Sequence, residues 1–251
     1  MLRGVKNGMK VIGLAIYISL IFSFVSYAEI YTYDSAVAVT SDRAFHEMAE
    51  HGQWNMEYDG DWEGVYFRCS KLPYSFLGTS DGCTCSCESG SDIVSVKITV
   101  PEGRSLQEEI NHHFEAEEYV NAAAKQTEGM APAEKARWIH DYVCNLVDYD
   151  HEGIERRNSG QGEANYSVYD AFTSHKVVCE GYSRTFWAIA GAAGLPVRIV
   201  LGTTNGREHA WNEVLLDGAW KAVDCTWDDS QAGIRYKYFL TDITYDNSWA
   251  Q

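Results

Sequence analysis

Three side chains in the C-terminal half of the sequence carry complementary chemistry: the thiol of Cys179, the imidazole of His209 and the carboxylate of Asp224. Chemistry at an acyl carbon uses that combination. A thiolate attacks, an imidazole moves the proton, and a carboxylate fixes the imidazole's tautomer and stabilises its charged form.

Each group needs an element to hold it. After Cys179, Tyr182, Phe186, Ile189, Ala190 and Ala193 recur at helical spacing, and Gly194, Leu195 and Pro196 form a stop. Cys179 therefore begins a helix of about four turns, where the dipole and unbonded N–H groups favour an anion and can hold an oxyanion. Downstream, 197–201, 209–216 and 219–224 read as strands, and Asp217-Gly218 is a strong hairpin signal. A two-residue loop pairs Leu216 with Ala219, which puts Trp211 opposite Asp224 and His209 opposite Thr226. His209 and Asp224 then share a face as diagonal neighbours, within reach of a hydrogen bond. A slip of one residue would separate them.

The blocks Val178-Cys179-Glu180-Gly181-Tyr182-Ser183, Glu208-His209-Ala210-Trp211-Asn212-Glu213-Val214 and Asp217-Gly218 through Asp228 resemble the transglutaminase-like superfamily. The resemblance covers roughly residues 130–245 and includes Ile139-His140-Asp141-Tyr142 and Tyr149-Asp150. It is to the small secreted bacterial members, not to the large calcium-dependent animal enzymes. It implies a papain-like core with a Cys–His–Asp triad on Cys179, His209 and Asp224, and no cofactor. It also implies peptide hydrolysis, since many members are peptide hydrolases instead of cross-linkers. Glu208 departs from the pattern, since a small residue often precedes the histidine.

Other residues are candidates for lesser roles. Tyr149, Tyr169 and Trp211 are candidates for substrate binding or for the oxyanion site, with core packing the plain alternative for the tyrosines. His140 reads as structural, because His209 already fills the catalytic role, and His112 and His113 read as solvated helix surface. No metal site is expected. The weak candidate is Cys69, Cys83, Cys85 and Cys87, whose spacing matches no zinc-finger pattern. With Cys179 free, the other six cysteines (69, 83, 85, 87, 144 and 225) can pair as disulfides, bind a metal or remain thiols.

Taken in order, residues 1–28 have Arg3, Lys6 and Lys10, an apolar run over 11–25, and small residues before Glu29. This is the pattern of a secretory signal peptide, so the expected location is secreted or at the cell surface. The membrane would be touched only through this segment if it stays uncleaved. The whole chain carries a formal charge of −16, and losing the three signal-peptide cations takes it to −19. Such a surface disfavours nucleic acid as a partner. Protein or peptide substrates, including those of the cell wall or surface, remain open.

In the N-terminal part, 41–51 reads as a short helix, 55–58 and 64–68 as strands, and 94–100 as an alternating strand. Ser105 and Glu108 form a capping box opening a helix to about 126, and 133–147 is a second helix. The polar, Gly-containing stretch 150–166 reads as a mobile loop beside the cleft, and 236–240 as a closing strand. The expected organisation is a signal peptide (1–28), an extension bearing the cysteine cluster (29–127) and a catalytic core (128–251). The expected fold is α+β, with helices packed on an antiparallel sheet and a small β-rich N-terminal extension. The expected function is an exported thiol acyl-transfer enzyme on amides, with hydrolysis favoured. Transglutaminase cross-linking and a non-catalytic binding module of the same fold are the alternatives.

Overall fold

The computed structural model describes residues 29–32, 54–57, 77–78, 83–87, 93–98, 100, 103–204 and 206–242. The signal segment, the 41–51 helix, the 64–68 strand and Cys69 lie outside them.

The antiparallel sheet that carries the site runs in the order β1-β7-β8-β9-β10. Its strands are β1 (Glu29–Thr32), β7 (Val197–Thr204), β8 (Arg207–Leu216), β9 (Ala219–Val223) and β10 (Phe239–Asp242). A second sheet, β2-β4-β3, is built from β2 (Trp54–Glu57), β3 (Cys83–Cys87) and β4 (Ile93–Ile98). A short parallel pair joins β5 (Asp148–Tyr149) to β6 (Lys176–Val177). The helices are α1 (Leu106–Lys125), α2 (Pro132–Leu146), α3 (His151–Asn158), α4 (Val168–Thr173), α5 (Cys179–Ala192) and α6 (Cys225–Asp228). No helix among the described residues is long and apolar enough to cross a membrane. The α+β class with helices on an antiparallel sheet is as the sequence implies.

The β8–β9 hairpin has the expected register. Leu216 pairs with Ala219, and the ladder continues to Asn212 opposite Val223. Asp217 and Gly218 both take positive φ (51° and 80°), the geometry of the tight turn whose twist matches paired strands. The ladder then stops one residue early. Asp224 leaves the strand to cap α6, so Trp211–Asp224 and His209–Thr226 are not cross-strand pairs.

Helix α5 is buried over most of its length, with Tyr182, Phe186 and Ile189 in the core. Helices α1 and α2 pack against it, adding Ala116, Val120 and Ala123 from α1 and Ala136, Ile139 and Val143 from α2. The capping box of α1 forms as expected, Ser105 and Glu108 each accepting from the other's backbone N–H. Its inward face also takes in Glu109 and His113, which are buried. His113 is not solvated surface: its Nδ1 accepts the Leu77 N–H at 3.0 Å.

The stretch 150–166 is no simple loop. Asp150 is buried and caps α3, accepting the N–H groups of Gly153 (2.8 Å) and Asn165 (3.3 Å). A β-carbon at Gly153 would sit 2.0 Å from the Asp150 carboxylate, so glycine lets the cap close. Helix α3 has little apolar periodicity, and its cap is what holds it.

At the start of α5, a β-carbon on Gly181 would lie 2.4 Å from Val177 Cβ on β6. Absence of a side chain is what allows the nucleophile helix to meet this strand. Gly181→Ala is therefore expected to destabilise the fold by about 1–3 kcal/mol through overpacking, measured as a lower urea midpoint at unchanged slope. An unchanged midpoint would show that β6 yields without cost.

Candidate active site

Cys179 is the first residue of α5 and is half-buried and free. Its N-cap, Val178, offers no side-chain cap to the helix start. Such an N-terminus presents N–H groups without intrahelical partners and the positive end of the dipole. The helix is tied to the sheet by Asn212 of β8, whose amide donates to the Ser183 carbonyl at 2.9 Å. It is tied at the other side by the Tyr182 hydroxyl, which reaches Asp229 Oδ2 at 2.6 Å and the Val147 carbonyl at 3.1 Å.

His209 lies on β8 opposite Gly202. Its Nε2 meets Asp224 Oδ2 at 2.6 Å, and both residues are buried. Its other nitrogen, Nδ1, is left for Cys179. Burial disfavours the imidazolium, yet the charge and hydrogen bond of Asp224, reinforced by Cys179, outweigh it and push His209 up from 6.5 to about 10. Asp224 uses its second oxygen to cap α6, accepting the Trp227 N–H at 3.1 Å. Its own N–H donates to the Tyr238 carbonyl. The sequence-derived triad thus comes together, with Asp224 held as a helix cap.

Trp227, which no local sequence signal marks as a site residue, belongs to the site. Its ring stacks on the His209 imidazole at 4.5 Å and 11°, and Tyr238 meets its edge at 5.0 Å. Trp211, two residues along the same strand, stacks at 6.0 Å from His209. Trp211 is buried, and a β-carbon on Gly202 would fall 2.8 Å from its ring. The small residue facing His209 across the ladder is what makes room for that indole. Such stacking limits the tilt of the imidazole and excludes water from its bond to Asp224.

The other candidates divide. Tyr149 is close enough to Cys179 to feel its charge: burial first, then Cys179 and Asp150, push its hydroxyl up to about 12. It therefore stays a neutral donor near the thiol. Tyr169 is elsewhere, stacked on His112 of α1 at 4.0 Å and 16°. Glu208 is exposed, and strand alternation turns it to the face opposite His209.

A second polar group sits behind the triad. His140 of α2 is buried, with Nδ1 2.9 Å from Asp141 Oδ1 and Nε2 3.2 Å from Asp228 Oδ2. Cys144 and Cys225 are both buried free thiols, not disulfide partners. Cys144 donates to the Cys225 carbonyl at 3.4 Å. The spacing of His140 and Cys144, four residues apart on one helix, was the available signal for this cluster.

The match to known proteins falls on this region. The transglutaminase-like superfamily core matches residues 120–225, including all three triad residues. Kyphoscoliosis peptidase of Mus musculus is 28% identical over 112 residues, and that of Homo sapiens 27%; each match covers 40% of this chain and 16% of the relative. The chain thus corresponds to a small part of those relatives' length. Among solved structures, a TGase is 18% identical, with a TM-score of 0.43, over 77% of this chain and 56% of its own.

Because His209 rises from its ordinary 6.5 to about 10 in the folded chain, its stabilising contribution is complete below about pH 6.5 and is lost as pH rises towards about 10. By NMR, His209 should remain protonated at pH 8 in the wild type. Asp224→Asn keeps the cap but removes the charge, so the midpoint should drop by more than one unit. A midpoint unmoved by the substitution would contradict the assignment.

Proposed function

We propose that this chain, whose residues 120–225 match the core of the transglutaminase-like superfamily, is an exported thiol enzyme that cleaves peptide or side-chain amides through an acyl-Cys179 thioester. One observation carries this reading: a half-buried thiol at a helix start beside an imidazole bonded to a buried carboxylate at 2.6 Å.

In the proposed cycle, Cys179 Sγ attacks the amide carbon, and the oxyanion forms near the α5 N-terminus with the Tyr149 hydroxyl as a second donor. His209 gives its proton to the departing amine, and Asp224 holds the ring so that Nδ1 faces the reacting atoms. Water, deprotonated by His209, then attacks the thioester and releases a free acid. The relatives named as peptidases support hydrolysis. Export rests on the signal pattern of residues 1–28, and proteins or wall peptides outside the cytoplasm are the substrates this implies. The acidic balance of the chain argues against nucleic acid as a partner.

Amine transfer is the second reading, and Trp227 favours it. Two indoles lie against His209, at 4.5 and 6.0 Å, where the sequence suggested only Trp211, and the polar stretch 150–166 is partly the capped helix α3. Both features reduce the case for free water access, since a cross-linking enzyme must keep its thioester dry until an amine arrives.

The partitioning of the acyl-enzyme decides between them. With millimolar lysine-like amine present, most product is expected to be free acid, and Cys179→Ala should abolish both products. Predominant amide product would make the protein a transglutaminase in the strict sense.

A further inference from the structure

His140, Cys144 and Cys225 form a cluster that the proposed amide chemistry does not use. The His140 and Cys144 ligand atoms project from one face of α2, one helical turn apart, and Cys225 brings a second thiol from α6. Their ligand atoms lie within 4.8 Å of one another, and all three residues are buried. We propose that this cluster binds a single thiophilic divalent cation of the zinc or cadmium class, at a site behind the triad and separate from it.

Four features support it. The His140 Nε2 and Cys144 Sγ are 3.9 Å apart, close to the roughly 3.5 Å edge of a tetrahedral site with a zinc–nitrogen bond of about 2.0 Å and a zinc–sulfur bond of about 2.3 Å. The far nitrogen of His140, Nδ1, is hydrogen-bonded to the Asp141 carboxylate at 2.9 Å. That carboxylate–histidine pairing orients and strengthens metal-ligating imidazoles. A buried carboxylate is also in place on the inner side. Asp228 Oδ2 is 3.2 Å from Nε2, and Oδ1 is anchored by the N–H groups of Lys237 and Tyr238, both at 3.0 Å. The Tyr238 N–H also reaches Oδ2, at 3.2 Å, so Asp228 stands fixed beside the imidazole nitrogen that would hold the cation. Finally, two thiolates cancel the charge of a divalent cation, and sulfur donors select soft metals over magnesium or calcium.

Binding releases the protons of two thiols, and that of His140 Nε2, to solvent. The cation takes no part in the proposed amide chemistry. It acts on structure: Cys225 follows Asp224 directly, so the cation fixes α6 to α2 and with it the helix that Asp224 caps.

The test uses the full chain carrying Cys179→Ser, so that the triad thiol takes no part, with cadmium ion alone as the probe. Bound cadmium is measured by equilibrium dialysis and by the ultraviolet thiolate-to-cadmium charge-transfer band. Adding Cys144→Ser or Cys225→Ser should each remove one bound equivalent, whatever the other cysteines hold. Asp141→Asn lies at the edge of the cluster and leaves every ligand present. It should weaken that same equivalent about 10–100-fold, and it carries the test if the buried variants fail to fold. Unchanged stoichiometry in folded Cys144→Ser and Cys225→Ser chains, or unchanged affinity in Asp141→Asn, overturns the proposal. So does a native Cys144–Cys225 disulfide found by mass spectrometry.

Discussion

The hydrogen bond between His209 and Asp224, 2.6 Å long, joins a buried imidazole to a buried carboxylate. Burial disfavours the imidazolium and the Asp224 charge restores it, since an unpaired buried charge is far more costly than a paired one. The surrounding structure serves that pair. The Asp217-Gly218 turn sets which face of the hairpin His209 occupies, and the end of the ladder at Val223 frees Asp224 to become a helix cap. The cap in turn leaves one carboxylate oxygen for the imidazole and gives the other to the Trp227 N–H. Trp227 then lays its ring over the same imidazole. One carboxylate therefore fixes both the ring and its cover.

Helix α6 is four residues long, too short to be stable through its own hydrogen bonds. It holds because three carboxylates in and beside it reach three different elements. Asp224 meets His209 on β8, Asp228 meets His140 on α2, and Asp229 meets Tyr182 on α5. Burial raises the Asp229 carboxyl, opposed by its bond from the Tyr182 hydroxyl. The junction couples the sheet to both packed helices at the point where the triad is completed. A cation held by His140, Cys144 and Cys225 would tighten the same junction from behind.

The parts of this arrangement legible in the sequence were those with a strong local cause. Asp217-Gly218 dictates a turn, alternation dictates strand faces, and Gly194 with Pro196 ends the helix that Cys179 begins. What escaped has a tertiary cause. Helix α3 depends on the buried Asp150 carboxylate, which reaches forward to Asn165; no periodicity in 151–158 announces it. His113 points inward because Leu77, far away in the chain, needs an acceptor for its N–H. Tyr169, a candidate for either the site or packing, stacks on His112 because α4 docks against α1. Trp227 follows Asp224 by three residues, and only the unforeseen helical turn brings its ring back over His209. Cys144 and Cys225 are far apart in sequence and meet only when α6 docks on α2.

The central claim is that Asp224, through His209, makes Cys179 a nucleophile. The most direct measurement is the rate at which iodoacetamide alkylates each cysteine at pH 6–7, followed by peptide mapping in the wild type and in Asp224→Asn. Cys179 should react fastest in the wild type, and its rate should fall at least tenfold in the variant with the circular-dichroism spectrum unchanged. A faster reaction at another cysteine, or an unaltered Cys179 rate in folded Asp224→Asn, would contradict it.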